Sequence, residues 1–245
     1  MTSVAPLSRL VLGVDFDDTS ASAARAAGRL AAATSAAITV FHAAVPEAPA
    51  YFRPDQIADL EAEREARRAS LAADLRAFVR PHVTQAVDVV IEDGAPEDGL
   101  VRLASRVDLV VIGTHRRHGP RRWWLGSVAE AVVGRSPSPV LVVPRGAVLP
   151  SALDRPTILV AGASHAAEPW VMLLGHVIGG RTVHTEDLRR CEPELVRGAE
   201  VIVWALPAGG GRQSLLAAAG PVLRECVRPV LFVPSVDGTV ERSSS

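Results

Sequence analysis

The chain has 245 residues and a formal net charge of -1, with 48% hydrophobic and 22% charged residues. This globular composition excludes a disordered chain, and the balanced charge gives no general attraction to nucleic acid or to an anionic membrane. The length allows one large domain or two of ordinary size.

Cysteine and lysine content restricts the chemistry further. The two cysteines, Cys191 and Cys226, lie far apart and lack histidines at ligand spacing, which argues against a disulfide scaffold and a zinc site. The absence of lysine excludes Schiff-base chemistry and a P-loop lysine. No apolar run reaches the ~18 residues of a membrane span. We therefore expect no membrane partner, no protein-held metal and a cytoplasmic protein.

Short apolar runs alternate with helical patterns in the first part of the chain. In chain order, the sequence predicts five strands, at 10–14, 38–45, 87–91, 108–113 and 140–143. Between the first strands it predicts an alanine-rich helix from capping residues 17–20 to about Ala33, and a long amphipathic helix with apolar positions from Ile57 to Phe78. Two shorter helices follow at 97–105 and 128–134. Strands that are apolar on both faces and separated by helices indicate an α/β fold with a doubly wound, Rossmann-like parallel sheet.

The pattern then begins again in a shorter form. Residues 156–162 resemble the first strand, 200–204 resemble the fourth, and Pro-Val-Leu-Phe-Val-Pro at 229–234 echoes Pro-Val-Leu-Val-Val-Pro at 139–144. This second unit lacks counterparts of the long helix and of the third strand. The predicted domains are 1–148 and 154–235, followed by a flexible tail at 236–245.

A glycine- and arginine-rich loop follows the fourth strand and leads into a helix. Ser127-Val-Ala-Glu130 matches a capping box, in which the Ser127 hydroxyl accepts from the Glu130 amide. Free amides and the positive dipole end at this helix start suit a phosphate, and Gly126 would let a ligand approach the backbone. Any strand-loop-helix unit also needs a glycine and a helix cap, so an ordinary structural role explains the same spacing equally well.

At this loop the sequence resembles the universal stress protein family. The family's loop reads Gly, two residues, Gly, nine residues, Gly, then Ser or Thr; here Gly113, Arg116, Gly126 and Ser127 occupy those positions. Further matching phrases lie at 14–16, 40–43, 94–96, 108–113, 125–130 and 139–143. The resemblance is good over 7–145 and weak over 156–234.

The resemblance implies strand order 3-2-1-4-5 and ATP at the carboxyl ends of strands 1, 2 and 4, with magnesium arriving on the phosphates. Independently, doubly wound sheets bind ligands where the strand order reverses. By resemblance, the nucleotide-binding residues are Asp15 and the Ala43 backbone toward the nucleoside, and Gly113, Gly126, Ser127 and the Val128 amide toward ribose and phosphates.

Two site residues keep alternatives open. Asp15 binds the ligand or caps the following helix. Arg116 replaces the loop's second glycine, which costs about 1–2 kcal/mol if that position needs a positive φ. Its guanidinium either closes the phosphate site or clamps a phosphate.

These features predict an adenine-nucleotide-binding regulator of the stress response, with at most slow ATP hydrolysis because no nucleophile constellation is present. One alternative is a nucleotide-free scaffold of the same fold. Another is an adenine-nucleotide alpha-hydrolase-type enzyme, which would need a glycine- and serine-rich loop after the first strand. Residues 15–20 do not supply that loop.

The second unit is expected to have lost binding and to serve as a surface for an unknown protein partner. Because members of the family commonly pair through the fifth strand, the resemblance implies that strands 140–143 and 230–233 pair within one chain as a pseudo-dimer, or between two copies as a homodimer. The arginine-rich part of the loop is short and the chain is neutral, so we do not expect a nucleic-acid partner.

Overall fold

The computed structural model describes residues 7–44, 54–115, 125–150, 154–162, 165–206 and 227–235. The strands are β1 (Arg9–Gly13), β2 (Ala37–Ala44), β3 (Val87–Asp93), β4 (Leu109–Thr114), β5 (Val140–Pro144), β6 (Thr157–Ala161), β7 (Arg181–Thr185), β8 (Val201–Leu206) and β9 (Val230–Pro234). The α-helices are α1 (Asp18–Thr34), α2 (Pro54–Val79), α3 (Pro96–Ala104), α4 (Ser127–Arg135), α5 (Glu168–Ile178) and α6 (Pro193–Gly198), with a 3₁₀ turn at Leu188–Arg190.

The strands of the described residues form one sheet in the order β3-β2-β1-β4-β5-β9-β8-β6-β7. Neighbouring strands run parallel except for β5 and β9, which are antiparallel. The first five strands have the order 3-2-1-4-5. The predicted doubly wound α/β fold is therefore confirmed.

Successive residues of a strand point to opposite faces of the sheet. Because the strands are apolar at both sets of positions, both faces are covered by helices. Leu10 and Leu12 belong to an apolar cluster that also contains residues of α1, α2 and α5, whereas Val11 between them belongs to a second cluster, with residues of α3, α4 and α6. None of these three strand residues is exposed to solvent. This two-sided burial explains why the strands read as continuous apolar runs.

Helix α2 buries apolar side chains toward its end. Leu75 and Val79 are buried against the sheet, but residues 61–70 are exposed on every side. Among the described residues, no helix combines the length and the apolar character that crossing a membrane would need.

The later strands repeat the earlier pattern of neighbours. The order β9-β8-β6-β7 corresponds to β5-β4-β1-β2. Between β7 and β8, residues 186–200 contain only the 3₁₀ turn and the short helix α6, with no counterpart of α2 or β3. The degenerate repeat and the domain limits stay predictions, and the tail at 236–245 lies outside the described residues.

Strands β5 and β9 join the two parts of the sheet within one chain. Their antiparallel register pairs Val140 with Phe232 and Val142 with Val230, and both strands are buried along their length. The pairing leaves neither strand as an exposed sheet edge. Arg29 of α1 adds a second connection, since its guanidinium donates to the carbonyl oxygens of Leu149 and of Val177 at the end of α5.

Candidate functional site

A cavity of about 460 Å³ lies where β1, β2 and β4 end and where α1 and α4 begin. Its position is the point where the strand order reverses between β1 and β4, which is the usual ligand site of this class of sheet. Its volume is within the range of small-molecule pockets. All of the predicted site residues that the structure describes line it: Asp15, Ala43, Gly113, Gly126, Ser127 and Val128. Arg116 lies outside the described residues.

The cavity has an apolar part and a polar part. Phe41, Leu100 and Ile112 contribute apolar side chains that are at most 4% exposed. The polar part is formed by the turn after β1 and by the first residues of α4. An apolar wall suits a planar base, while a helix start suits an anion.

Helix α4 begins differently from the predicted capping box. The N-cap is Gly126, no side chain caps the helix, and the Glu130 amide donates to the Gly126 carbonyl at 2.9 Å. Ser127 is thus the first helical residue, and the predicted Ser127 cap is wrong. The reason is a tertiary contact: the Gly126 amide donates to Thr114 Oγ1 at 3.1 Å, which brings Gly126 to the helix start. Burial raises the pKa of the Glu130 carboxyl.

The start of α4 exposes backbone donors to the cavity. The amides of Ser127, Val128 and Ala129 have no acceptor among the described residues, and all three residues line the cavity. The first amides of a helix carry its positive dipole end and need a partner from outside the helix. The Ser127 hydroxyl, not used as a cap, also has no partner within the described ranges.

The two described glycines of the loop serve different purposes. A Cβ on Gly113 would lie 2.5 Å from the Thr19 carbonyl carbon, so this glycine lets α1 pack closely against β4. A Cβ on Gly126 would meet only Thr114 Oγ1 at 3.8 Å, and its φ of -64° suits any residue. Within the described residues, neither packing nor backbone strain requires glycine at 126.

The turn after β1 excludes the capping role that was open to Asp15, whereas its ligand role stays a prediction. Asp17 caps α1 instead, because its Oδ1 accepts from the Ser20 amide at 2.6 Å and from the Thr19 hydroxyl at 2.8 Å. The Asp15 amide donates to Ser20 Oγ at 2.9 Å. The exposed Asp15 carboxylate has no partner among the described residues, so it is available to a ligand.

Phe16 sustains this turn at a conformational cost. Its φ is +55°, a value rare for a bulky residue and worth about 1–3 kcal/mol of strain. The ring lies edge-on to His42 and Phe78, with centroids 5.4 and 5.5 Å away. His42 Nδ1 lies 2.8 Å from the Val14 carbonyl oxygen, which ties the same turn to the end of β2.

Asp17, Thr114 and His115 are among the cavity residues that were not predicted as site residues from the sequence. His115 Nε2 forms a hydrogen bond with Asp17 Oδ2 and joins the end of β4 to the cap of α1. Burial alone would raise the pKa of Asp17, but hydrogen bonds from Ser20 and Thr19 and the nearby His115 together lower it. Asp17 lies in the run of predicted helix caps at 17–20, so the sequence already marked this turn. Nothing in the sequence marks Thr114, at the end of a strand, as a site residue.

Two further points concern metals and the second half. In the ranges that the structure describes, no group of three or more His, Cys, Asp or Glu side chains could hold a metal ion. The segments predicted to replace the loop in the second unit, at 207–211 and 215–219, lie outside those ranges. The loss of binding in the second unit therefore stays a prediction.

Comparison with known proteins gives a consistent result. The model of the universal stress protein family matches residues 6–144. Universal stress protein Rv1996 of Mycobacterium tuberculosis and universal stress protein Mb2019 of Mycobacterium bovis are each 31% identical over 153 residues, covering 60% of this chain and 47% of the relative. The chain thus spans about half the length of these curated relatives.

A solved structure extends the comparison to nearly the whole chain. The crystal structure of a universal stress protein from Archaeoglobus fulgidus superposes with a TM-score of 0.63 at 15% identity, covering 96% of this chain and 100% of that one. At this identity the likeness concerns the fold alone.

Proposed function

The chain belongs to the universal stress protein family, and from this premise we propose that it binds an adenine nucleotide and acts as a regulator of the stress response. The binding site is the cavity at the ends of β1, β2 and β4. In this proposal the presence of bound nucleotide is the regulatory signal, and rapid hydrolysis of ATP is not part of it.

The start of α4 is the observation that carries this proposal. Three successive amides that have no acceptor in the described part of the chain line the cavity, at the positive end of a nine-residue helix. Phosphate oxygens are the acceptors that such a group of amides favours. Ser127 and Val128 bind the phosphates, with the Gly113 backbone beside them, and Gly126 offers no side chain to obstruct their approach.

The other part of the cavity suits the nucleoside. The Asp15 carboxylate can accept hydrogen bonds from both ribose hydroxyls, since no described protein donor uses it. The apolar wall around Phe41 and Leu100 receives the base, next to the Ala43 backbone. Magnesium enters with the phosphates, which usually supply part of its coordination.

Bound nucleotide would act on the segment between Gly113 and Gly126, which connects β4 to α4. Ordering of a segment by a phosphate is a common form of switching, because the ligand supplies contacts that one state lacks. The surface changed in this way would be read by a protein partner. Hydrolysis of ATP is slow in this proposal.

Nucleotide binding is tested by calorimetric titration of the purified chain with ATP and adenosine, preceded by denaturation and chromatography of any small molecule that is released. Gly126→Asp places a carboxylate beside the amides and should abolish ATP binding by charge repulsion. Gly198→Asp is the matched control, because Gly198 is exposed in α6 and a Cβ there meets no atom within 4 Å.

The outcomes separate nucleotide binding from a scaffold role. A wild-type chain that neither carries nor binds nucleotide would favour the nucleotide-free scaffold, in which Arg116 closes the site. A Gly126→Asp variant that still binds ATP would move the site elsewhere. Arg116→Gly should tighten ATP binding if the guanidinium obstructs, and weaken it if the guanidinium clamps a phosphate.

A further inference from the structure

Thr114 connects the two ends of the loop between β4 and α4. It is the last residue of β4 and is only 3% exposed. Its Oγ1 accepts a hydrogen bond from the Gly126 amide, twelve positions later in the chain, at 3.1 Å. Both residues also line the cavity.

This hydrogen bond determines which amides of α4 remain available. The Gly126 amide is used by Thr114, and the Gly126 carbonyl accepts from Glu130 at 2.9 Å, so both backbone groups of the N-cap are fixed. The next three amides, of residues 127–129, are left without acceptors among the described residues. The first amides of a helix point along its axis toward the N-terminal end. Because Gly126 is the N-cap of α4, its position determines where these three amides lie.

No other described side chain holds the start of α4 in this way. His115, the next residue, contacts Asp17 at the start of α1 and so anchors the near end of the loop. Within the described ranges, the only side chain that forms a hydrogen bond with the backbone of residues 125–129 is Thr114, whose Oγ1 accepts from the Gly126 amide.

We propose that Thr114 is a positioning residue for phosphate: its hydroxyl oxygen holds Gly126 so that the amides of residues 127–129 meet one anion together. This inference rests on the proposed nucleotide binding. Valine at this position would keep the branched shape and fill the same buried space, but it would leave the Gly126 amide without its acceptor. The helix start would then be free to shift or rotate.

The test compares ATP with adenosine, which has the same nucleoside and no phosphate. Thr114→Val should weaken ATP binding about five- to tenfold, the effect of one lost hydrogen bond of ordinary strength. Adenosine binding should stay at the wild-type level. Thr114→Ser keeps the oxygen and should bind both ligands as the wild type does. All affinities are measured by calorimetry, with folding of each variant checked by circular dichroism.

Thr157→Val is the matched control. It removes a strand threonine hydroxyl that accepts from Arg181 Nε at 3.1 Å, far from the cavity, and should change neither affinity. If Thr114→Val does not fold, Thr114→Ala replaces it in the same comparison.

Four results would overturn the inference. They are unchanged ATP affinity without the hydroxyl, an equal loss for ATP and adenosine, a loss in Thr114→Ser as large as in the valine variant, and a loss of ATP affinity in the Thr157 control. A wild-type chain that binds neither ligand would instead refute the proposed function itself, and the inference with it.

Discussion

Replacing Gly113 by alanine should destabilise the protein through packing rather than through backbone strain. The added Cβ would lie 2.5 Å from the carbonyl carbon and 2.6 Å from the carbonyl oxygen of Thr19. Ordinary van der Waals contact begins near 3.4 Å, so the first turn of α1 must move by almost an ångström from β4. Backbone atoms cannot rotate away as a side chain can, and overpacking of this kind costs about 1–3 kcal/mol.

Equilibrium unfolding in urea, followed by circular dichroism, measures this loss in the free energy of unfolding. Gly198→Ala is the control, since its Cβ meets nothing within 4 Å and an exposed helical alanine should add about 0.4–1 kcal/mol. The denaturant dependence should stay the same in both variants. A Gly113→Ala variant as stable as the wild type would show that α1 gives way freely, and would refute the packing argument.

Three further outcomes are expected. Arg29→Met should lower the free energy of unfolding by about 1–3 kcal/mol, because the carbonyls of Leu149 and Val177 lose their donor; urea unfolding that matches the wild type would contradict this. Because the pKa of Asp17 is lowered in the folded chain, its contribution is present above the ordinary value of 3.8 and is lost as pH falls through the folded value. Asp17→Asn should therefore lose less stability than the wild type on acidification below about pH 4, and equal losses in acid unfolding curves would count against this account. Gly126→Ser should cap α4 and raise stability by a few tenths of a kcal/mol while weakening ATP binding in calorimetry, because the hydroxyl competes with phosphate for the amides; a serine variant with unchanged ATP affinity would argue against free amides.

The sequence alone determined the class of fold and the region of the candidate site. Continuous apolar runs such as Leu10–Leu12 are buried on both faces of the sheet, and this burial is what the alternation with helices indicated. The carboxyl ends of parallel strands meet at one edge, so Asp15, Ala43 and Gly113 could be expected together before any coordinates were known.

Choices between neighbouring residues depended on contacts that the local pattern does not contain. Serine at 127 and glycine at 126 are both acceptable first residues of a helix, and Thr114 decides between them through one hydrogen bond. Likewise, Asp15 and Asp17 could each cap α1. In the structure the chain turns at Phe16, and Asp17 is the residue that caps the helix.

Contacts between distant parts of the chain explain the rest. Gly113 is glycine because Thr19, on a helix formed much earlier in the chain, packs against it. The pairing of β5 with β9 within one chain was one of the two arrangements that the resemblance implied, whereas its antiparallel direction was not predicted. Hydrophobic periodicity indicates which faces of a helix or strand are buried, because burial limits the residue type at each position independently of its partner. Which residues contact each other across the fold depends on their distance and orientation in space, and only the tertiary structure gives these.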